Sequence, residues 1–436
     1  MSYRLLLNTV HPVFLPLGFL ARLPYAMLPL GTLLLIQAAT GSYTFAGVAA
    51  GSLSLAMALG GLVVGRLAER FGPRPVGALA AILNAGAIIG LIAATQVGRV
   101  AMLIAAILIG LVQPQVGPLV RAHWSHVARS TAEPAEFMST ALSYEAAVEE
   151  TSFIVGPALV GGLAAVHTEI EAAAALAAGA ALLVLAAAPF ALLYHGRAAR
   201  PGSPGAVRAP LPAVRLALLV VAMVLMGAIF GALQIAISAA AKESGHPGAA
   251  GLLYAELGIG SAVAGVAYAW LSPRWGLHAR YLTFAAALWV GMVTLALNGT
   301  LLPLPVAAAL AGVTIAPYMI SIYALTERLA PARVATAMTV LCAGGPVGTA
   351  IGQALAGVLT QEYGQRAAFA LPPVIATLAV LLAAGTRPPA VAPASSVALS
   401  GCPDRSQFAH AFNGGTGGEE QHQVTEQGHR DTRGVR

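Results

Sequence analysis

Long apolar stretches recur along the chain up to about residue 386, and they restrict its possible folds more than any other feature. Most are roughly 18 residues or longer, the length that a helix needs to cross about 30 Å of hydrocarbon. Only 9% of the 436 residues are charged, whereas a soluble protein would have about a quarter. The alternating segments of a β-barrel are absent, so the sequence predicts an all-α membrane protein.

Hydropathy divides the chain into twelve candidate transmembrane helices. They are 13–38, 43–66, 75–96, 100–119, 138–166, 170–194, 213–240, 248–271, 280–298, 303–325, 334–360 and 365–386. A stretch rich in Pro, Gly and Arg follows the sixth, as expected of a flexible linker. We therefore expect a six-helix half at 1–194, a cytoplasmic linker at 195–212, a second six-helix half at 213–386 and a disordered cytoplasmic tail at 387–436.

Basic residues are divided unequally between the two sides of the predicted bundle. One side carries Arg4, Arg66, Arg70, Arg74, Arg121, Arg129, Arg197, Arg200, Arg208, Arg215, Arg274, Arg280, Arg328, Arg333 and Arg387. The opposite loops carry Arg99, Lys242 and Arg366. Because Lys and Arg are enriched in cytoplasmic loops, both termini are predicted to be cytoplasmic. The net charge of +6 is thereby explained by topology, without a nucleic-acid partner.

The two halves show a faint sequence repeat around their second loops. Gly61, Arg70, Phe71 and Gly72 align with Gly265, Arg274, Trp275 and Gly276. Parallel repeats of six helices are typical of transporters whose substrate site lies between the halves, near the middle of the membrane.

The loop between the second and third helices contains a spaced set of Gly, Glu and Arg. The residues are Gly65, Glu69, Arg70, Gly72 and Arg74. They match every position of the signature Gly-x3-(Asp/Glu)-(Arg/Lys)-x-Gly-x-(Arg/Lys), and the chain resembles the major facilitator superfamily up to about residue 386. The resemblance implies two six-helix pseudo-repeats and a cytoplasmic gate at this loop. Charge-assisted bonds from Glu69 and Arg70 to neighbouring helix ends would suit such a gate.

The fifth helix resembles the antiporter signature of that family, Gly-x3-Gly-Pro-x2-Gly-Gly. Gly156, Pro157 and Gly161 match in register, whereas Ser152 and Val160 replace glycines. Gly162 falls one residue beyond the signature. Small residues at this spacing allow close helix contact, and Pro157 frees a backbone carbonyl. The resemblance implies an antiporter or drug exporter.

Two departures from the exporter pattern leave import open. The fourth-helix signature Arg-x2-Gln-Gly is missing, because Ala106 and Ile109 precede Gly110. The eleventh helix contains "CAGGPVGTAIGQALAG", which is rich in Gly but has no carboxylate to match those of the fifth helix.

Three glutamates lie in the fifth predicted helix. Glu145 and Glu149 share a face with Ser152 and Gly156, while Glu150 points toward the line of Pro157. Glu145 is nearest the cytoplasm and could extend to the interface. An unpaired carboxylate deeper in the membrane costs several kcal/mol, so Glu149 and Glu150 require a partner, water or a proton.

Arg22 of the first helix is the buried partner expected for Glu149 or Glu150, and the three form the predicted proton-coupling centre. A static ion pair that fixes packing remains the alternative. Glu256 and Gln113 are further candidates for the central cavity. Other polar candidates are Gln37, Gln115, Gln234 and Gln353, each of which could instead bond a neighbouring helix.

Other chemistry lacks support in the sequence. No nucleotide loop G-x4-G-K-(S/T) occurs, and His123 with His126 in a predicted cytoplasmic loop lacks a third ligand. We expect neither an enzyme nor a cofactor or metal.

The sequence therefore predicts a plasma-membrane transporter that exports a small organic compound in exchange for protons, and it predicts a monomer in the lipid bilayer. An importer or symporter of the same fold is the main alternative. A transport-inactive sensor or scaffold is a second alternative, which would depend on the tail after Arg387.

Overall fold

The computed structural model describes residues 13–128, 131, 134–164, 171–193, 212–268, 270–272, 275–300, 302–330 and 333–386. Their regular structure is helical, apart from an isolated bridge between Asn298 and Leu302. The predicted tail, and the linker apart from its last residue, lie outside these ranges. Several predicted topology-setting arginines also lie outside them, namely Arg4, Arg129, Arg197, Arg200, Arg208, Arg274 and Arg387.

The helices are numbered here in chain order. They are α1 Phe14–Thr40, α2 Tyr43–Phe71, α3 Pro73–Ala94, α4 Arg99–Leu111, α5 Val116–Ala128, α6 Pro134–Ala164, α7 Glu171–Leu182, α8 Ala188–Leu193, α9 Ala213–Glu243, α10 Ala249–Tyr268, α11 Leu277–Ala296, α12 Leu304–Leu329, α13 Val334–Tyr363 and α14 Gln365–Gly385. A π-helical segment, Leu183–Ala187, joins α7 to α8.

Eleven helical segments of the described residues are long and apolar enough to cross a membrane, and α4 is a shorter apolar helix. Exposed Leu, Ile and Val side chains cover these helices, as expected of surfaces that face lipid. The predicted all-α membrane fold is confirmed.

The fourth predicted helix, 100–119, is interrupted in the structure. α4 ends at Leu111, and α5 begins at Val116 after a break that contains Pro114. Proline has no N–H and disfavours helical geometry in the residue before it, which explains the break. α5 then continues to Ala128 and buries both His123 and Trp124. The prediction that His123 lies in a loop is therefore wrong, and the side chain of His126 is outside the described residues.

Two pairs of helices make most of the contacts between the first half, α1–α8, and the second half, α9–α14. α2 packs against α13, and α6 packs against α10. Glycines allow these contacts: Gly47 touches the backbone of Gln353, and Gly161 touches that of Gly251. Both contacts lie where α2 begins and α6 ends, which we call the closed end. The end where α2 ends and α6 begins is called the opposite end.

Candidate functional site

One face of α6 changes from buried to exposed along the helix. The face consists of residues at helical spacing, namely Ala146, Glu150, Phe153, Pro157, Val160 and Ala164. The last three, toward the closed end, are buried, whereas the first three are exposed. α10 contacts this face at the closed end, where the backbone of Pro157 and Gly161 meets Gly251, and the exposed Glu150 lies beyond that contact.

The facing helix of the second half, α13, shows the same change. Cys342 is exposed near its start, while Gln353, Ala356 and Thr360 follow at helical spacing and are buried. The close contacts of α13 with α2 are at Ala350, Gln353 and Gly357, all C-terminal to Cys342 and toward the closed end. The halves thus separate toward the opposite end on this side of the bundle too.

Side chains from both halves lie near one another on this side of the bundle. Glu149 is within electrostatic range of the hydroxyl groups of Tyr25 on α1 and Tyr323 on α12. Glu150 is also within range of Tyr323, which lies beside the thiol of Cys342. We call these five residues the cavity cluster. It brings two carboxylates of the first half to a tyrosine and a thiol of the second half.

An aromatic contact extends the cavity cluster along α6. The rings of Tyr25 and Phe153 meet edge to face, with their centroids 6.1 Å apart. Phe153 is one turn beyond Glu149 and is partly exposed on the same face. The cluster thus combines negative charge with apolar ring surface.

Arg22 pairs with Glu145, not with Glu149 or Glu150 as the sequence predicted. The guanidinium donates to Oε2 of Glu145, and the indole nitrogen of Trp124 donates to Oε1 at 2.9 Å. Glu145 is only 3% exposed and Arg22 only 9% exposed. Glu145 therefore does not extend to the interface. Its carboxylate is buried, and the two donors offset the cost of removing it from water.

Glu256 and Gln113 lie apart from the cavity cluster. Glu256 borders a groove between α10 and α12 that is lined by apolar side chains. Gln113 is buried in the break between α4 and α5 and accepts a hydrogen bond from Asn84 of α3 at 3.4 Å. The structure does not bring either residue to the cavity, since each faces helices of its own half.

A chain of buried hydrogen bonds crosses the closed end. Ser54 of α2 bonds Gln353 of α13 at 3.2 Å, and Gln353 donates to Gln234 of α9 at 2.6 Å. Gln234 donates in turn to Tyr254 of α10 at 3.5 Å. The two glutamines thus bond neighbouring helices, which is the second role considered for them. The network links both halves at the end where they meet.

The predicted gate motif is exposed at the opposite end. Gly72 has φ of 96° and its N–H bonds Ala68 at 3.0 Å, so a glycine makes the tight turn into α3. Arg70 stacks 5.1 Å above the ring of Phe71. Within the described residues, Glu69 and Arg70 form no hydrogen bond or ion pair with another helix. Gly65 and Arg74 belong to the same α2–α3 segment, and a Cβ at Gly65 would meet nothing within 4 Å.

The antiporter-like motif contributes to two contacts of α6, one with α1 and one with α10. A Cβ on Gly156 would meet that of Ala26 on α1 at 2.7 Å, and one on Gly161 would meet Gly251 Cα on α10 at 2.9 Å. Pro157 presents its carbonyl to Gly251. Gly162, the residue out of register, is exposed and has open space at its Cβ position.

Sequence reasoning missed Trp124, Tyr25, Tyr323 and Cys342. Trp124 was hidden by the predicted end of the fourth helix at residue 119. The tyrosines and the cysteine carry no spacing signal, because their grouping depends on four different helices. Within the described residues, no group of three His, Cys, Asp or Glu could hold a metal ion.

Two helical halves that meet at one end and expose charged and aromatic groups between them at the other define a membrane transport fold. The profile of the Major Facilitator Superfamily matches residues 14–297 and 218–401, and the chain belongs to this family. No curated protein sequence matches the chain.

Solved structures share the fold at low sequence identity. A mutant of the nucleoside transporter NupG has a TM-score of 0.70 at 15% identity, covering 85% of this chain and 98% of its own. The human organic anion transporter TETRAN has a TM-score of 0.57 at 18% identity, with coverage of 86% and 99%. The xylose transporter XylE from E. coli, partially occluded and inward open, has 0.60 at 14% identity, with coverage of 86% and 97%.

Proposed function

We propose that the chain exports a small organic compound across the plasma membrane in exchange for protons. Its two halves would rock around the cavity cluster, so that the compound is exposed to one side of the membrane at a time. Glu149 and Glu150 would carry the protons, and the protein would act as a monomer. Arg22 would stabilise the first half through Glu145 rather than exchange protons.

The observation that supports this proposal is the change of exposure along α6. The face that carries Glu150 is exposed toward one end and is packed against α1 and α10 toward the other. A carboxylate in such a position can be reached by water from one side only. In the alternate state the same groups would open to the other side, which is what coupling to a proton gradient requires.

The basic residues support a cytoplasmic position for the opposite end. Described arginines near that end are Arg66, Arg70, Arg74, Arg215, Arg280, Arg328 and Arg333. The closed end has Arg99, Lys242 and Arg366. By the enrichment of basic residues in cytoplasmic loops, the structure would be inward facing. The absence of a described partner for Glu69 fits an inward-facing state, in which a cytoplasmic latch would be released.

Import by the same fold is a second candidate. The positions of the missing exporter arginine and glutamine hold Ala106 and Ile109, which are fully buried, and Asn84 donates a hydrogen bond to the carbonyl of Ile109 at 2.6 Å. The cavity cluster would then bind a substrate together with the proton. The direction of the gradient that drives uptake distinguishes the two candidates.

A proteoliposome assay tests the proposal. The purified protein is reconstituted with a trapped pH dye, and small organic compounds are screened for proton movement under an imposed pH gradient. Glu149→Gln and Glu150→Gln should abolish compound-driven proton movement, while Glu362→Gln, an exposed glutamate at the closed end, should retain it. Wild-type proton movement in both cavity variants would contradict the proposal.

A further inference from the structure

A second acidic site lies on the outer surface of the bundle. A groove of about 280 Å³ runs between α10 and α12 and is lined by Glu256, Ile259, Val263, Leu310 and Val313. The four apolar side chains are between 44% and 63% exposed. Such a continuous apolar surface on membrane-spanning helices faces lipid. Glu256 is therefore a carboxyl group beside the hydrocarbon of the bilayer.

Tight helix packing places Glu256 at the groove, where its side chain is half-buried. Gly260 touches the backbone carbonyl of Ala309, and Gly312 touches that of Leu257, so α10 and α12 are in backbone contact beneath the groove. Oε2 of Glu256 is buried and has no hydrogen-bond partner. Within the described residues, no arginine, lysine or histidine pairs with it.

The position of Glu256 limits what could bind there. It lies seven residues after Ala249, which is about 10 Å along the helix axis. An ion at this depth must reach Glu256 from the lipid phase, carried by an apolar body. A carboxylate left unpaired there costs several kcal/mol, and an ammonium group would offset that cost through a charge-assisted hydrogen bond.

We propose that this groove binds a lipophilic amine dissolved in the membrane. The ammonium group pairs with Glu256, and the apolar part lies along Ile259, Val263, Leu310 and Val313. The site is separate from the cavity cluster and does not depend on the proposed direction of transport. A neutral or anionic amphiphile of equal length lacks the charge that Glu256 complements.

Photolabelling tests the proposal with the full chain in lipid nanodiscs. The probe is a long-chain primary alkylamine with a diazirine in its tail, and labelled peptides are located by mass spectrometry. We expect labels on α10 and α12, competition by dodecylamine but not by dodecanol, and about tenfold less labelling of Glu256→Gln. Glu362→Gln, at the end of α13, should label as the wild type does.

Equal labelling of Glu256→Gln, equal competition by dodecanol, or labels confined to other helices would each overturn the proposal. The comparison of amine with alcohol uses the unchanged protein, so it remains decisive if Glu256→Gln fails to fold. Labelling that is lost on Glu256→Gln but insensitive to both competitors would indicate a protein contact or a neutral carboxylic acid, and would also contradict amine binding.

Discussion

Trp124 donates a hydrogen bond from its indole nitrogen to Oε1 of Glu145 over 2.9 Å, while Arg22 binds the other carboxylate oxygen. These side chains come from α5, α6 and α1, so one buried carboxylate joins three helices of the first half. The arrangement explains how a glutamate inside the membrane is tolerated. It also separates Glu145, which is buried and paired, from Glu149 and Glu150, which are exposed.

Glu145→Gln should destabilise the protein by about 3–5 kcal/mol, because it leaves the guanidinium of Arg22 buried without a counter-charge. Thermal unfolding in detergent, followed by size-exclusion retention, measures the loss. Combining it with Arg22→Gln should recover much of the stability, since the uncompensated charge is removed. A single Glu145→Gln variant that unfolds at the wild-type temperature would show that the pair contributes nothing.

Gly161→Ala should weaken the closed end, whereas Gly162→Ala should not. A Cβ at Gly161 would lie 2.5 Å from the carbonyl oxygen of Gly248, but nothing lies within 4 Å of one at Gly162. The clash should shift the population toward the state in which the closed end is open. Cysteine introduced at the closed end, at Tyr43, should then react faster with a thiol reagent in the Gly161 variant. Equal rates in both variants would contradict the packing described.

Gln353→Ala should lower stability by about 1–3 kcal/mol, because it leaves the buried Oε1 of Gln234 without the amide that donates to it. Gln361→Ala is the matched control, since Gln361 is an exposed residue of the same helix that accepts only the backbone N–H of Tyr43. Denaturant unfolding of both variants gives the difference. The prediction is wrong if the exposed substitution costs as much as the buried one.

Glu69→Gln should leave the stability of this conformation within about 0.5 kcal/mol of the wild type, because exposed groups without a partner contribute little. Transport should nevertheless fall if Glu69 latches the alternate state. Arg66→Gln, an exposed neighbour outside the signature, should change neither quantity. Unfolding temperature and initial flux in proteoliposomes provide the two readouts, and wild-type flux in Glu69→Gln would exclude the latch.

The sequence predicted the helices well because their signal is local. Apolar runs and loop arginines are read from consecutive residues, and Gly72 has the left-handed backbone that its place in the signature suggests. The carboxylate that pairs with Arg22 could not be predicted in the same way. Glu145 and Glu149 differ by only about 40° around α6, so helical period could not decide which one meets Arg22. The partner of Arg22 depends instead on α5, which follows the break at Pro114 and places Trp124 beside Glu145.

For a related reason, the sequence identified only the two glutamates of the cavity cluster. Glu149 and Glu150 are conspicuous in an apolar helix, whereas Tyr25, Tyr323 and Cys342 are ordinary residues of membrane helices. Their grouping depends on how α1, α6, α12 and α13 diverge from the closed end. That divergence is set by glycine contacts between helices far apart in the sequence.

Accessibility of Cys342 from each side of the membrane tests the central claim most directly. The measurement uses a membrane-impermeant thiol reagent on the Cys402→Ser variant, in right-side-out and inside-out vesicles. If the space beside Glu150 opens to the cytoplasm while the other end is closed, Cys342 reacts in inside-out vesicles and is protected in right-side-out ones. Reaction only from the external side, or protection in both, would contradict the account.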